Sequence, residues 1–175
     1  QGLHITEAIE EAIAVGENNN IPVQISHVKL AEEAVWLQPE RIIKPVEEAR
    51  QRGVEVTLDQ YPYTATSSGF TSSFPSWAFE GGKEKFLERI KDQKSYEVIK
   101  AHIIKRRLTS TRGIDKLGTI FIAGCKEFPE YEGKNLREII SSKGKKPTVD
   151  NAADLIIDIE KNGGASAVFF QMDEI

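Results

Sequence analysis

Cysteine is nearly absent from this chain. Cys125 is the single example in 175 residues, which excludes an internal disulfide framework and is typical of a reducing compartment. Long apolar runs are missing as well, because the longest ones, such as residues 165–170, fall far below the roughly 20 residues of a membrane-spanning helix. We therefore predict a cytoplasmic protein with no membrane partner, while export stays open because the chain opens on Gln1 and its true N-terminus is not included.

An excess of positive charge is also lacking. Asp and Glu number 27 against 23 Lys and Arg, for a net charge of −4, which gives no general attraction to nucleic acid. Residues 100–112 nevertheless place several cations on one face of a predicted helix: Lys100, His102, Lys105, Arg106, Arg107 and Arg112. An α/β binding or regulatory module with an anionic or nucleic-acid partner is thus the alternative function. No aromatic residues alternate with these cations, which favours a solvated helix face and no nucleic-acid partner.

Helices and strands alternate in the apolar pattern of the first sixty residues. The spacing predicts a helix over 6–18, a strand over 21–26, a helix over 39–52 and a strand over 54–59. Pro45 lies inside the second helix and is expected to kink it or split it in two. Short loops between such elements are typical of a parallel sheet covered by helices.

The rest of the chain has a less regular pattern. We predict a Ser/Thr/Gly/Pro-rich loop at 64–76, a charged helical region at 83–108 and a short strand at 117–125. A short helix at 135–142, an amphipathic helix at 149–162 and a final strand at 165–170 follow. The section from about 77 to 148 has the character of an insertion or lid on the α/β frame.

Both ends of the chain are abrupt. A helical pattern begins almost at the first residue, and the chain stops directly after an apolar strand-like run. Since domains usually end in solvated segments, we expect this to be a piece of a longer protein. A few parallel strands cut from a larger sheet leave open edges, so we also expect the fragment to self-associate or to need further chain.

The string Ile25-Ser26-His27-Val28-Lys29 ends the first predicted strand. Parallel α/β folds assemble their active sites at the carboxyl ends of strands, and side chains two residues apart on a strand share a face. This pattern suits a metal ligand, His27, beside a carboxylate anchor, Lys29. On spacing alone, a lone histidine is more often structural, and a loop lysine is often solvated.

Several ordered blocks together resemble the N-acyl-D-amino-acid deacylase (D-aminoacylase) family of the amidohydrolase superfamily. They are PVQISHVK at 22–29, VW at 35–36, EAR at 48–50, GV at 53–54, DQYPYTA at 59–65 and WAFEGG at 77–82, with looser matches at 132–134 and 170–174. The resemblance implies an α/β fold, part of a (β/α)8 metal-dependent hydrolase barrel, with about strands six and seven, flanking helices and a mostly helical insertion. Residues 1–76 would then form βα units of the barrel, 77–148 the insertion or lid, and 149–175 the helix and strand that return to the barrel.

The same resemblance implies roles for single residues. His27 matches the zinc-binding histidine of the sixth strand, and Lys29 matches the lysine that meets the substrate carboxylate. Tyr61 and Ser67 match positions that line the substrate site. The other metal-binding residues of the family would lie before the first residue, and the general-base aspartate would lie after Ile175, so no catalytic residue is expected within the chain.

The implied activity is zinc-dependent hydrolysis of N-acyl-D-amino acids to a carboxylate and a free D-amino acid. A zinc hydrolase needs three or four protein ligands, an open position for water and a general base, so the fragment is expected to be inactive alone. Some roles stay open. Tyr61 could equally pack in the core, and Ser67 lies where serine is common. Asp59 is as suited to capping a turn, or to pairing with a neighbouring barrel group, as to touching metal.

Overall fold

The structure, a computed structural model, describes residues 2–172, and these divide into two compact units. The first unit contains residues 2–65 with 171 and 172, and the second contains residues 66–170. Both contain helices and strands, so the predicted α/β class is confirmed at that level. The assignment to barrel strands six and seven, and the division at residues 76 and 148, stay predictions. No helix in the described part of the chain is long and apolar enough to cross a membrane.

The first unit alternates helices and strands as predicted. Its elements are α1 (Ile5–Asn19), β1 (Val23–Ile25), a 3-10 turn (Glu33–Val35), α2 (Glu40–Gln51) and β2 (Val56–Leu58). The two strands are parallel, with Val23 opposite Val56 and Ile25 opposite Leu58. Both strands are shorter than predicted, and loops follow them from Ser26 and from Asp59.

Burial in this unit follows the helical period. Ile5, Ile9 and Ile13 recur every four residues on α1 and are buried with Val46 and Ala49 of α2 and Val56 of β2. Gly16 is buried on the same helix. A side chain at this position would collide with Val23, and its first carbon would lie 2.8 Å from the carbonyl oxygen of Ile21. The glycine thus lets α1 lie directly against the start of β1.

Pro45 does not divide α2, so the split is wrong, and the alternative of a kink stays a prediction. A proline has no amide proton, which leaves the carbonyl four residues earlier, that of Arg41, without its usual helical donor. The hydroxyl of Thr6, from α1, donates to this carbonyl at 3.1 Å. A side chain from the neighbouring helix thus replaces the missing main-chain bond.

We expect Thr6→Val to lower the free energy of unfolding of the chain by about 1 kcal/mol, since the Arg41 carbonyl then loses its donor. Urea unfolding followed by circular dichroism measures this change. In a Pro45→Ala background the amide of residue 45 supplies the donor, so the same Thr6 substitution should cost less there. An equal loss in both backgrounds would contradict the role given to the Thr6 hydroxyl.

The second unit packs helices around a three-stranded sheet. Its strands are β3 (Ala65–Gly69), β4 (Ile120–Gly124) and β5 (Ser166–Phe170), with β5 in the middle and antiparallel to β4. Its helices are α3 (Gly82–Arg89), α4 (Gln93–Ile103) with a π-helical turn (Ile104–Leu108), α5 (Leu136–Ser142) and α6 (Val149–Lys161). Short 3-10 turns cover Phe70–Ser73, Ser76–Phe79 and Pro129–Tyr131.

Most sequence-based boundaries in this unit are confirmed within a few residues, with two differences. The predicted loop over 64–76 is wrong in its first part, because β3 pairs with a strand about a hundred residues later. The helical region over 83–108 is interrupted before Gln93, where the carboxylate of Asp92 accepts a hydrogen bond from the amide of Ser95 at 2.8 Å and starts α4. The core includes Phe70, Phe86 and the buried face of α6.

Candidate functional site

The loop that follows β1 carries the two residues singled out by the sequence. His27 is exposed and lies beyond the end of β1, with a left-handed backbone φ of 56°. His27 and Lys29 therefore do not share the face of a strand, as predicted from their spacing. A turn brings them together instead, and the Lys29 ammonium donates a hydrogen bond to the carbonyl oxygen of His27 at 2.6 Å.

Tyr61, from the loop after β2, completes this group. The centroids of its ring and the His27 ring are 5.8 Å apart, and Lys29 Nζ lies 4.9 Å from the centroid of the Tyr61 ring, within cation–π range. The neighbouring Tyr63 is 71% exposed, so its ring is not packed in the core. Three of the four predicted site residues thus meet at the carboxyl ends of two parallel strands.

Lys29 is unusual among lysines because only 8% of its surface is exposed. It lines a pocket of about 400 Å³ in the first unit together with mostly apolar and aromatic residues, namely Val28, Leu30, Trp36, Leu37, Pro39, Ile42, Gln60, Tyr61, Pro62, Tyr63, Thr64 and Met172. Burying a cation among such groups is costly unless an anion or a set of hydrogen-bond acceptors accompanies it. The carbonyl oxygen of His27 and the face of the Tyr61 ring are among the groups that accompany this ammonium.

Asp59 caps the turn that carries His27. Its Oδ1 accepts a hydrogen bond from the His27 amide at 2.8 Å, and its Oδ2 accepts from Ser26 Oγ at 2.7 Å and Gln24 Nε2 at 2.9 Å. The bond from the His27 amide is the main reason that the pKa of this carboxyl lies below its ordinary value. Of the roles that the sequence left open for Asp59, the structure shows the turn cap. The sequence signal for this role is the position of Asp59 at the end of the second predicted strand.

Ser67 lies elsewhere in the fold. It is an exposed residue of β3, in the second unit. Its part in substrate binding stays a prediction.

One imidazole does not make a zinc site. Among residues 2–172, no three His, Cys, Asp or Glu side chains come close enough together to hold a metal ion. His27 fits the requirements of a single ligand, because its ring is exposed and its main chain is fixed by Asp59. Zinc bound here would need further ligands in addition to His27.

Two cations of the predicted basic helix face, Lys100 and Arg107, contact other side chains of the protein. Lys100 forms ion pairs with Asp154 at 3.0 Å and Asp150 at 3.5 Å. Arg107 lies 4.8 Å from the centroid of the Phe169 ring and donates to Ser73 Oγ at 3.2 Å. These contacts hold α4 and the following turn against the rest of the second unit. The alternative of a helix that binds an anionic partner stays a prediction.

A shallow surface of the second unit surrounds a partly buried carboxylate. Glu160 accepts a hydrogen bond from the Thr71 hydroxyl at 3.0 Å beside a stretch of glycine backbone that includes Gly164. Burial raises the pKa of this carboxyl above its ordinary value of 4.5, against the opposing effect of the Thr71 hydrogen bond. This carboxyl therefore binds a proton more readily in the folded chain than in the unfolded chain.

We expect Glu160→Gln to stabilise the chain at pH 7. A carboxyl whose pKa is raised on folding supports the folded state below its unfolded pKa, and this support is lost as the pH rises through the folded pKa. Glutamine keeps an acceptor for Thr71 but has no charge to bury. Urea unfolding of both proteins between about pH 4 and pH 7 measures the difference, which should widen with pH. A difference that is constant over this range would contradict the assignment.

Comparison with known proteins shows what this chain is similar to. No family model matches the chain. The chain is 26% identical to a D-aminoacylase of Alcaligenes xylosoxydans xylosoxydans over 174 residues, which is 99% of this chain and 26% of the relative. It is 32% identical to an N-acyl-D-glutamate deacylase of the same organism over 68 residues, or 39% of this chain and 14% of the relative.

Solved structures show the same likeness. A crystal structure of D-aminoacylase, described as defining a novel subset of amidohydrolases, matches with a TM-score of 0.62 and 25% identity over 99% of this chain and 26% of that chain. An N-acyl-D-glutamate deacylase from Bordetella bronchiseptica, in complex with zinc and a phosphonate inhibitor, shares the fold with a TM-score of 0.61 and 22% identity over 98% of this chain and 26% of that chain. The resemblance predicted from the motifs is confirmed. The chain is similar to D-aminoacylases and N-acyl-D-glutamate deacylases, and it spans about a quarter of the length of the D-aminoacylase and of the two solved structures.

Proposed function

We propose that this chain forms part of the active site of a zinc-dependent amidohydrolase that cleaves the amide bond of N-acyl-D-amino acids. The products are a carboxylate and a free D-amino acid. One observation carries the proposal: His27, Lys29 and Tyr61 converge in the loops that follow β1 and β2. In (β/α)8 barrels, loops in this position build the catalytic site. We assign β1 and β2 to about the sixth and seventh barrel strands.

His27 is the proposed metal ligand of this segment. Related structures support zinc as the metal, since the deacylase of Bordetella bronchiseptica was solved with zinc and an inhibitor that mimics the tetrahedral intermediate, and D-aminoacylase has a binuclear metal centre. Zinc, when bound, lowers the pKa of its water to near 7 and polarises the amide carbonyl. The part of His27 is to offer an exposed imidazole from a turn that Asp59 holds.

Lys29 is the proposed anchor for the substrate carboxylate. At about 4 Å, an ammonium and a carboxylate attract each other by roughly 4 kcal/mol at an effective dielectric constant of about 20, before the cost of desolvation is subtracted. Because Lys29 is buried and its ammonium donates to the main-chain carbonyl of His27, the ammonium is held beside the residue that carries the imidazole. Anchoring the carboxylate would thus orient the scissile amide toward the metal.

Tyr61 and Ser67 are proposed to line the substrate site. The aromatic ring of Tyr61 lies close to both the His27 ring and the Lys29 ammonium. Ser67 would contribute a hydroxyl from β3. We assign the remaining zinc ligands, and the aspartate that takes the proton of the attacking water, to residues of the longer protein outside this segment.

An assay of the full-length protein that contains this chain tests the proposal. Purified enzyme is mixed with N-acetyl-D-leucine, N-acetyl-D-glutamate and their L enantiomers, and release of the free amino acid is measured. We expect turnover of at least one D substrate but not of the L forms, loss of turnover after chelation, and recovery with zinc. Residues 1–175 alone are the control, and they should neither hydrolyse these substrates nor bind zinc tightly. Absence of turnover in zinc-loaded full-length protein would overturn the proposal.

A further inference from the structure

We infer that Asp59 is a positioning residue for this site, holding the main chain of His27 in the one conformation that lets the imidazole and the Lys29 ammonium meet at Tyr61. The inference rests on the proposed function, because it concerns the same site. Asp59 touches neither metal nor substrate in this role. It acts through His27.

The backbone of His27 needs such support. Its φ of 56° lies in the left-handed region, which residues other than glycine rarely adopt and which persists only when the surroundings impose it. Both carboxylate oxygens of Asp59 are used for this purpose. Oδ1 accepts from the His27 amide at 2.8 Å, while Oδ2 accepts from Ser26 Oγ at 2.7 Å and Gln24 Nε2 at 2.9 Å.

The main chain of Asp59 adds two further bonds to the same turn. Its carbonyl oxygen accepts from the Val28 amide at 2.9 Å, and its amide donates to the carbonyl oxygen of Ile25 at 3.3 Å. Residue 59 thus contacts the turn on both sides of His27. Only the side-chain bonds depend on the residue being aspartate, so substitution separates the carboxylate from the strand pairing.

Lys29 depends on the same conformation. Its Nζ donates to the carbonyl oxygen of His27 at 2.6 Å, and the direction of that carbonyl is set by the backbone angles of His27. If the His27 backbone returned to a negative φ, the carbonyl would turn and the ammonium would lose this acceptor. One substitution at Asp59 should therefore disturb both the proposed metal ligand and the proposed carboxylate anchor.

The test compares Asp59→Ala and Asp59→Asn in the full-length protein. Removing the carboxylate should weaken zinc binding by about 10- to 100-fold, as is typical for groups that orient a ligand, and should also raise KM for an N-acyl-D-amino acid. Asparagine keeps an acceptor for the His27 amide, and its NH2 group can donate to the Ser26 hydroxyl oxygen and to the amide oxygen of a rotated Gln24 side chain. It should therefore restore zinc affinity to within about threefold of the parent. Chelator competition measures the zinc affinity.

Asp92→Ala is the matched control. Asp92 is also an exposed aspartate that accepts a main-chain hydrogen bond, from Ser95 at 2.8 Å, but it caps α4 in the second unit. We expect this variant to lose some stability while zinc affinity and KM stay within about twofold of the parent, because its cap does not touch the site. This control separates a general loss of stability in Asp59→Ala from a local displacement of His27.

Hydrogen–deuterium exchange of the metal-free protein gives a readout that is independent of activity. Peptides covering residues 24–29 should exchange faster in Asp59→Ala, but not in Asp59→Asn or Asp92→Ala. Unchanged exchange and zinc affinity in Asp59→Ala would overturn the inference, as would an asparagine variant as impaired as the alanine variant. If His27→Ala keeps its zinc, the proposed function fails; if only His27→Ala loses zinc and Asp59→Ala does not, the positioning role alone fails.

Discussion

Replacing His27 by alanine in the full-length protein should remove zinc and activity together. An imidazole is one of only three or four protein ligands in a catalytic zinc site, and even groups that merely orient a ligand change affinity or activity by about 10- to 100-fold. We therefore expect kcat/KM to fall by at least about 100-fold. Zinc per protein, measured by plasma mass spectrometry after dialysis, should fall in parallel.

His4→Ala is the control for this experiment. His4 belongs to the same unit, is exposed, and contacts Glu7 at 3.3 Å near the start of α1. Its loss should leave zinc content and kcat/KM unchanged. A His27→Ala protein with full zinc content would show that the metal is held elsewhere, whatever its activity.

The helices and strands with a short-range apolar period could be predicted from the sequence. The contacts between residues far apart in the sequence, which complete other elements, could not. The period of Ile5, Ile9 and Ile13 identifies α1 because a helix repeats within a few residues. The continuity of α2 depends on Thr6, which lies 35 positions before the Arg41 carbonyl that it bonds. In the same way, β3 becomes a strand because β5 lies beside it, and no period in the Ser/Thr-rich segment signals that distant partner.

At the candidate site, the sequence predicted that His27 and Lys29 lie close together, but the strand-face argument for it is wrong. His27 and Lys29 do meet, but through a left-handed turn rather than along one face of a strand. The positive φ of His27 was not predicted, because it accompanies a hydrogen bond to Asp59, which lies 32 positions later in the sequence. The burial of Lys29 was equally hidden, since the pocket around it is built from both loops and from Met172.

Lys29→Met should chiefly raise KM for substrates that carry a carboxylate. Methionine keeps much of the aliphatic length that fills the pocket, but it removes the charge. Hydrogen bonds to charged groups contribute about 1.5–3 kcal/mol, so we expect KM to rise by roughly 10- to 150-fold, with a smaller change in kcat. Zinc content should stay near that of the parent, because the imidazole of His27 remains.

Two controls separate the anchor from a general loss of structure. Lys44→Met removes an exposed ammonium in the same unit, 3.9 Å from Glu48, and should leave the kinetics unchanged. A substrate analogue whose carboxylate is replaced by a carboxamide should show nearly the same KM with the parent and with Lys29→Met, because it has no charge for the ammonium to bind. If the KM of the carboxylate substrate stays at the parental value in Lys29→Met, the anchor must be another cation, and the buried ammonium then serves to hold the carbonyl of His27.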